Sequence, residues 1–449
     1  MQLKTCIALT IVLAANLGAQ TANPWPAGAA KYRLHLVGQG HLDAVWLWPW
    51  HEALSEVHST FRSVLDRMKE NPEFTFTAAE SVFYRWVEEN DPEMLREIRQ
   101  RVEEGRWGLA GGWWVEADAN APNGESLVRQ GLYGQLTLRR LFGRITTVAN
   151  NPDAAGHPAT LPQILKMQGM ENFVFTRPRP DEKELPDGLF WWEGIDGTRV
   201  LAYRPPLNYA SRGSLEPGIR RLITEMKPTT RSLMVFVGAG DHGGGPTKAN
   251  IRELAQLRSQ PGAPVMVYSI PERYFAEVRK AGVPGIPLVR DELQHHARGG
   301  YTNVSEMRKN NRTAEAALTT SEKLAALGSV VWGVTYRKAD FTSAWERVLF
   351  QQFHDSINGV SLPEHYEVAG RDAYGFALDI ARDAMYKAAQ RLAWRIPAED
   401  PESTYLVVFN PNAWEVTTNA QYELNLDRNT PVRVEDERMR AARERAPPA

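Results

Sequence analysis

The feature that most constrains the fold is an alternation of short apolar runs with amphipathic segments between residues 32 and 289. Strand-like apolar runs occur at 32–37 and 233–237, whereas residues 78–89 and 92–104 repeat their apolar positions at helical spacing. Strands that alternate regularly with helices form a largely parallel sheet, open or closed. We therefore expect an α/β domain whose reactive groups lie at the carboxyl ends of its strands.

A second region, beyond about residue 310, has long helical periods instead. Apolar residues recur at helical spacing over 312–327, 341–353 and 364–392. This pattern predicts an all-helical domain that follows the α/β domain. We place the α/β domain at 31–295 and the helical domain at 296–396.

Composition narrows the class of protein. With 449 residues, of which 43% are hydrophobic and 24% charged, the chain is long enough for two or three soluble domains. A net charge of −2 provides no basic field for nucleic acid. Fourteen tryptophans are many for this length, and we favour carbohydrate stacking over a tryptophan-rich core as their explanation, because indole offers a large flat face with one polar group.

The amino terminus has the pattern of a cleaved secretory signal peptide, predicted at residues 1–20. Lys4 precedes an apolar run that is too short to anchor the chain in a bilayer. Cys6, the single cysteine, lies inside this segment. The mature chain would then have no thiol, so a metal site could use only His, Asp, Glu and water as ligands. We expect a soluble extracytoplasmic protein, periplasmic or secreted, without a membrane anchor.

His41 and Asp43 directly follow the first strand-like run. Residues i and i+2 of an extended backbone project to the same side, so this pair could bind one metal ion. Trp46 and Trp48 follow and offer flat faces for a sugar. The alternative is a capped strand end whose Asp begins a turn.

Three later stretches also carry reactive side chains. Asp153 follows a predicted strand and precedes a helix, although an Asx-Pro turn that caps the helix explains it equally well. Asp241 and His242 are titratable groups in a glycine-rich loop after an apolar strand, and the loop lacks the Lys-Ser/Thr order of a phosphate-binding loop. His354 and Asp355 end a predicted helix, where a histidine is more often structural than a ligand.

Taken together, these stretches resemble glycoside hydrolase family 38, the α-mannosidases. The run His41-Leu42-Asp43-Ala44-Val45-Trp46 is one of the matching motifs, and all of them occur in the family's order across residues 33–415. The other motifs lie at 111–120, 124–130, 152–156, 161–165, 240–247, 298–302 and 352–355. The resemblance implies a seven-stranded α/β barrel, then a three-helix bundle, then the start of a β-sandwich.

The resemblance also implies a reaction, the retaining hydrolysis of terminal α-mannosides in glycans or mannosyl conjugates. The implied ligands of one zinc ion are His41, Asp43, Asp153 and His354. Asp153 would also be the nucleophile, and retention requires a second carboxyl group roughly 5 to 5.5 Å away that acts as acid and then as base.

Asp241 is the implied acid/base. Some members of the family carry a second acidic residue directly after this position, where this chain has His242, so His242 is the alternative. The resemblance further makes Trp46 the platform under the bound sugar and Asp355 an acceptor for a sugar hydroxyl. Ala155 departs from the family pattern, which is usually aromatic there, and this change alters the expected pocket wall.

Two other classes of function remain open from the sequence, a metal-dependent carbohydrate deacetylase and an inactive sugar-binding fragment. The second arises because a strand-like run at 405–409 resembles the opening of the β-sandwich, which two packed sheets must complete. Residues 403–449 instead run into a charged tail after Asp427. We therefore expect a C-terminally truncated member of the family, poorly soluble and of low or no activity.

Overall fold

The computed structural model describes residues 24–226, 228, 230–282, 284–397, 400 and 405–419. The predicted signal peptide and the charged tail lie outside the described residues. The chain divides into two compact units, one that runs to Ile396 and one that begins at Pro397. All elements of regular structure named below belong to the first unit.

Ten short strands alternate with helices along the first unit. The strands are β1 Arg33–Gln39, β2 Phe76–Thr77, β3 Trp107–Gly108, β4 Val148–Asn150, β5 Asn172–Val174, β6 Gly188–Glu193, β7 Arg199–Arg204, β8 Ser232–Val237, β9 Val265–Tyr268 and β10 Leu288–Val289. The α-helices are α1 Trp50–Glu70, α2 Ser81–Asn90, α3 Pro92–Glu103, α4 Gly124–Phe142, α5 Leu161–Met167, α6 Glu216–Glu225, α7 Lys248–Arg258, α8 Pro271–Ala281, α9 Ser305–Trp332, α10 Lys338–Gln351, α11 His354–Ile357 and α12 Arg371–Ala393. Two 3₁₀ turns, Ala29–Lys31 and Arg298–Thr302, and a π-helical turn, His365–Gly370, complete the series.

Strand β1 is the centre of the first sheet. It pairs in parallel with β8, with Leu34 opposite Leu233, and also in parallel with β9 and β2. The sheet order is β3-β2-β1-β8, with β9 also on β1. Nearly every residue of β1 and β8 is buried, as expected for parallel strands covered on both faces by helices.

The second sheet has the order β10-β6-β7-β5-β4 and is parallel except for the β6–β7 hairpin. That hairpin turns at Asp196 and Gly197, where the glycine has a φ of 84° and the aspartate side chain accepts the N–H of Thr198 at 2.9 Å. The fold is thus a mixed α/β fold with curled, mostly parallel sheets. Within the described part of the chain, the strands pair as two five-stranded sheets and not as one hydrogen-bonded ring of seven.

The helical region packs three long helices, α9, α10 and α12, against one another. Their shared core includes Leu318, Trp345 and Ala377, all fully buried. This region joins the α/β region through polar contacts at the start of α4. The buried Glu315 carboxylate accepts hydrogen bonds from the N–H of Asn123 at 2.9 Å and from the hydroxyl of Ser126 at 2.7 Å.

The second unit is described only at residues 397, 400 and 405–419. The strand predicted at 405–409 is not formed there, and residues 405–419 contain no helix or strand. A strand requires backbone partners, and residues 405–409 make no backbone–backbone hydrogen bond with the other described residues of this unit. None of the helices in the described part is long and apolar enough to cross a membrane.

Candidate metal centre and active site

The site begins where two neighbouring parallel strands end. The residues after β1 turn towards the loop after β8, where Leu42 and Asp241 form a parallel bridge. The N–H of Asp43 donates to the carbonyl oxygen of Asp241 at 2.9 Å. Both loops lie at the carboxyl edge of the sheet, as the sequence pattern predicts for reactive groups.

The four predicted metal ligands meet at this edge. Asp153 lies in the loop after β4, and His354 is the first residue of α11. The Nε2 atom of His41 lies 2.9 Å from Asp43 Oδ1 and 3.6 Å from Asp153 Oδ2. The Nε2 atom of His354 lies 3.5 Å and 3.3 Å from the same two oxygens. All four side chains are buried, and their candidate ligand atoms lie within 4.8 Å of one another.

The geometry and chemistry of this cluster fit a zinc ion. Ligand atoms arranged tetrahedrally around zinc at bond lengths of about 2.0–2.1 Å lie roughly 3.3–3.4 Å from each other. The four histidine–aspartate distances, from 2.9 to 3.6 Å, are close to this spacing. Among the described residues, His354 Nε2 is a buried nitrogen without a hydrogen-bond partner. Two imidazoles and two carboxylates also form a donor set typical of zinc.

Charges in the cluster shift the pKa values of its members. Burial would lower the pKa of His41, but the negative charge of Asp43 and other carboxylates outweighs it and places the pKa well above its usual range. Burial would also lower the pKa of His354, but the charges of Asp355 and of the other carboxylates outweigh it and place the pKa well above its usual range. Burial would raise the pKa of Asp153, but its contacts with the two histidines hold it well below its usual range. The concentration of buried carboxylates therefore favours a positive charge at this point.

Glu116 contacts three of the four candidate ligands. Its Oε2 atom lies 3.1 Å from His41 Nδ1, and its Oε1 atom accepts the N–H of Asp153 at 2.6 Å. Its carbonyl oxygen accepts a hydrogen bond from His354 Nδ1 at 2.9 Å. In the sequence, Glu116 lies within the motif at 111–120, and no local pattern predicts a role for it.

Asp241, the predicted acid/base, lies beside the cluster. It adopts a left-handed backbone conformation with a φ of 68°, which aspartate tolerates better than most residues. The hydroxyl of Tyr209 donates to Asp241 Oδ1 at 3.3 Å, and the Tyr209 ring packs edge-to-face on His41 with centroids 4.8 Å apart. Arg212 pairs with Asp241 Oδ2 at 2.9 Å. One aromatic side chain thus connects Asp241 to a candidate ligand.

His242, the alternative acid/base, contacts Glu52 and Trp48 and none of the four candidate ligands among its described contacts. Its Nε2 atom lies 2.8 Å from Glu52 Oε1 on α1, and both side chains are about half exposed. Its ring packs edge-to-face on Trp48 with centroids 4.4 Å apart. The structure therefore brings Asp241 to the cluster and pairs His242 with a surface carboxylate.

The two predicted sugar-contacting residues flank the ligands. Trp46 is half-buried, packs edge-to-face on Trp48, and is fixed by a hydrogen bond from the N–H of Leu362 to its carbonyl oxygen at 2.9 Å. Asp355 follows His354 in α11, and its Oδ2 atom lies 3.8 Å from His354 Nε2. Burial, together with the charges of neighbouring aspartates, raises the pKa of Asp355 to about 7.

Comparison with known proteins identifies the family. A model described as the glycosyl hydrolases family 38 N-terminal domain matches residues 31–298, more than half of the chain. The chain belongs to glycosyl hydrolase family 38. A second model, the alpha mannosidase middle domain, matches residues 295–392, the helical region of this family 38 chain.

Relatives of this family 38 chain include several curated proteins. Alpha-mannosidase G of Dictyostelium discoideum is 33% identical over 75% of the chain and 31% of its own length. Alpha-mannosidase 2C1 of Mus musculus is 28% identical over 87% of the chain and 37% of its own length. The chain thus spans about a third of the length of these relatives.

Solved structures agree on the fold. The crystal structure of an alpha-mannosidase from Enterococcus faecalis V583 superposes with a TM-score of 0.71 at 21% identity, over 81% of this chain and 43% of that one. A 4-alpha-glucanotransferase from Thermococcus litoralis superposes with a TM-score of 0.52 at 12% identity, over 78% of this chain and 59% of that one. Proteins of low sequence identity thus share the α/β architecture of this chain.

Arg177 and Tyr209 also lie in this family 38 site, and the sequence patterns did not predict them. Arg177 pairs with Asp153 Oδ1 at 2.5 Å and also donates to the Asp153 carbonyl oxygen at 2.9 Å. Arg177 follows β5, and Tyr209 follows β7, which runs parallel to β5. Both residues therefore come from the carboxyl edge of the sheet, and their position after strands was the signal that could have indicated them.

Proposed function

We propose that this chain carries the catalytic site of a retaining, zinc-dependent α-mannosidase that hydrolyses terminal α-mannosides of glycans or mannosyl conjugates. The observation that carries the proposal is the convergence of His41, Asp43, Asp153 and His354 on one buried point. Alpha-mannosidase relatives that match most of the chain support the same substrate class. The finer fold that we propose is the family's seven-stranded barrel, built from the two sheets, followed by its three-helix bundle.

The four ligand side chains would hold the ion at the carboxyl edge of the sheet. When bound, zinc supplies positive charge that binds two neighbouring sugar hydroxyls and stabilises ionised carboxylates. The remaining chemistry belongs to side chains of the protein. Trp46 provides the flat surface under the sugar ring, and Asp355 accepts a hydrogen bond from a sugar hydroxyl.

Asp153 is the nucleophile in this proposal. Its carboxylate attacks the anomeric carbon as the glycosidic bond breaks, and a covalent mannosyl ester results. Arg177 supports this role, since its guanidinium pairs with Asp153 Oδ1 at 2.5 Å and fixes the orientation of the carboxylate. The low pKa of Asp153 keeps that carboxylate ionised at neutral pH.

Asp241 is the acid and then the base. Its carboxyl group protonates the departing glycosidic oxygen, and its carboxylate then removes a proton from the water that hydrolyses the ester. The hydrogen bond from Tyr209 and the ion pair with Arg212 hold this side chain beside the cluster. Water attacks the anomeric carbon from the face opposite the ester bond. This second inversion restores the α-configuration.

The test is hydrolysis of an aryl α-mannoside with and without a chelator. Exhaustive chelation should abolish turnover, and zinc should restore it. Proton NMR of the early product should show the α-anomer first, and a β-anomer would exclude Asp153 as nucleophile. Release of acetate from an acetylated sugar without cleavage of the mannoside would favour the deacetylase, and sugar binding without either reaction would favour the inactive fragment.

We also propose that the protein is exported from the cytoplasm. The support is the signal-like pattern at residues 1–20, which lie outside the described residues. Amino-terminal sequencing of the protein from its native host would find a start near residue 20 if the proposal is correct. An intact Met1 on the mature protein would contradict it.

A further inference from the structure

We infer that Glu116 is a positioning residue that fixes the proton on Nδ1 of His41 and the backbone of Asp153, so that both side chains are presented to the metal. This inference rests on the metal-dependent function proposed above and concerns the residue that holds the ligands. It assigns to Glu116 a role that differs from ligation and from acid–base catalysis.

The backbone around Glu116 is fixed to the segment that carries His354. Ala117 forms an antiparallel bridge with Phe353, and the N–H of Asp118 donates to the carbonyl oxygen of Gln352 at 3.0 Å. The Glu116 side chain itself is only about 2% exposed. The carboxylate therefore occupies a defined place between the loop that follows β3 and the start of α11.

The proton on His41 is determined by what each ring nitrogen contacts. A neutral imidazole has one N–H donor and one lone pair, and a metal ligand must present the lone pair. His41 Nδ1 lies 3.1 Å from Glu116 Oε2, and an ionised carboxylate can only accept a hydrogen bond. When a metal is bound, the proton therefore belongs on Nδ1, and Nε2 is free to present its lone pair to the ion beside the two aspartates.

The second oxygen of the same carboxylate fixes the backbone of Asp153 through a hydrogen bond. Glu116 Oε1 accepts the backbone N–H of Asp153 at 2.6 Å, so one side chain serves two ligands with two acceptor atoms. Glutamine cannot replace it, because one of its two terminal groups is a donor. In Glu116→Gln, the amide NH₂ faces either the N–H of Asp153, which leaves two donors opposed, or Nδ1 of His41, which moves the ring proton to Nε2.

His354 provides an internal reference. Its Nδ1 atom donates to the backbone carbonyl oxygen of Glu116 at 2.9 Å, a contact that a change of the Glu116 side chain leaves in place. Substitution at Glu116 should therefore alter His41 and Asp153 while the orientation of His354 persists. A general loss of structure would affect both histidines equally.

The first measurement is zinc affinity. The full chain is freed of metal and titrated with Zn²⁺ in competition with a chromophoric chelator. Glu116→Gln and Glu116→Ala should bind zinc about 10–100-fold more weakly than the unaltered protein. The matched control is Glu315→Gln, which also removes a buried carboxylate, bonded to Asn123 and Ser126, and should lower the Tm without changing the zinc affinity.

The second measurement is NMR of the zinc-loaded protein with ¹⁵N-labelled histidine. The unaltered protein should show protected Nδ1–H signals from His41 and His354, and Glu116→Gln should lose or shift only the His41 signal. The inference is overturned if His41 lacks this proton in the unaltered protein, or if folded Glu116→Gln binds zinc within about twofold of it. An unaltered protein that binds no zinc would instead overturn the proposed function, and the inference with it.

Discussion

Two buried histidines, one within β1 and one just after it, are surrounded in different ways. His35 lies near the amino end of β1, where Nδ1 contacts the Ser269 hydroxyl at 3.0 Å. Its Nε2 atom contacts the Ser232 hydroxyl at 3.1 Å and one carboxylate oxygen, Glu277 Oε1, at 3.3 Å. His41 lies beyond the carboxyl end, and carboxylates contact both of its nitrogens, Asp43 at 2.9 Å and Glu116 at 3.1 Å. Burial is almost complete for both rings.

The difference shows how a buried metal ligand can be distinguished from a structural histidine. The pKa of His35 is lowered, chiefly by burial, because its carboxylate neighbour, Glu277, does not outweigh burial and the positive charges of Arg33 and Arg273. The pKa of His41 is raised despite burial, because the surrounding carboxylates accumulate negative charge that only a cation can balance. The charge around a buried histidine, and not its burial, therefore indicates a metal site.

The sharpest test of this comparison replaces each histidine in turn. His41→Ala should weaken zinc binding by roughly 10²–10³-fold, because an apparent binding free energy of about 10–16 kcal/mol is shared among four ligands, and turnover should fall with it. His35→Ala should leave the zinc affinity unchanged while it destabilises the fold by about 1–3 kcal/mol, since the buried Ser269 hydroxyl and the partly buried Ser232 hydroxyl lose a partner. Zinc titration and urea unfolding of both variants supply the measurements.

A result in which both variants lose zinc equally would remove the distinction between the two histidines. Circular dichroism of each variant at the titration temperature is the necessary control, because an unfolded protein binds no metal specifically. Zinc-free unaltered protein provides the reference for stability, since ligand binding by itself raises the free energy of unfolding.

The next largest effect concerns catalysis at the same edge without loss of a ligand. Asp241→Asn should lower kcat/KM by about 10²–10⁴-fold, the usual contribution of an acid–base group, and should leave zinc affinity intact. His242→Ala should change kcat/KM by less than about threefold, because an exposed pair with Glu52 contributes little. The loss in Asp241→Asn should be greater for an alkyl mannoside than for a nitrophenyl mannoside, whose leaving group needs less protonation.

The reverse pattern, in which His242→Ala is inactive and Asp241→Asn retains activity, would make His242 the acid/base. Arg212→Ala is a useful companion variant, since Arg212 contacts Asp241 Oδ2 and is mostly exposed. This variant should lower kcat/KM only if Asp241 acts in catalysis, because it removes the ion pair that holds the Asp241 carboxylate.

Local pattern predicted the long, buried elements well. The run ending at Val237 was identified as a strand, and β8 indeed spans Ser232–Val237 with almost every residue buried. The helical spacing at 92–104 corresponds to α3, which spans Pro92–Glu103. These elements carry enough apolar periodicity to be identified without their neighbours.

Other features depend on distant partners and were missed or wrong. Strand β3 has only two residues and pairs with β2, and neither this strand nor the β6–β7 hairpin was predicted. The number of tryptophans favoured sugar stacking over a tryptophan-rich core. However, Trp107, Trp192 and Trp345 are fully buried core residues. The predicted strand at 405–409 lacks a described partner.

The candidate site likewise contains residues that local sequence predicts and residues that only the fold brings to it. His41 and Asp43 are two residues apart, so spacing alone indicated a pair, but only the family resemblance joined them to Asp153 and His354. Glu116 meets His41 from a distant loop, and no local pattern encodes such a contact. Contacts between loops at the carboxyl edge of a sheet are determined by strand order, which the sequence does not display.

The smallest predicted effect returns to His35 and to the pH dependence of stability. The charged groups that face His35 are Glu277, which opposes the lowered pKa, and Arg33 and Arg273, which favour it. Because the folded pKa lies below the unfolded value near 6.5, the unfolded chain takes up a proton first as the pH falls. The unaltered protein should therefore lose stability below about pH 6.5, by at most about 1.4 kcal/mol per pH unit, whereas His35→Gln should lack this loss. Urea unfolding of both proteins at pH 7, 6 and 5 gives the difference, in which the metal-site groups cancel because both proteins share them. A difference of opposite sign would mean that the charge of Glu277 outweighs burial and raises the pKa of His35 in the fold, and a flat difference would mean that the two effects offset each other.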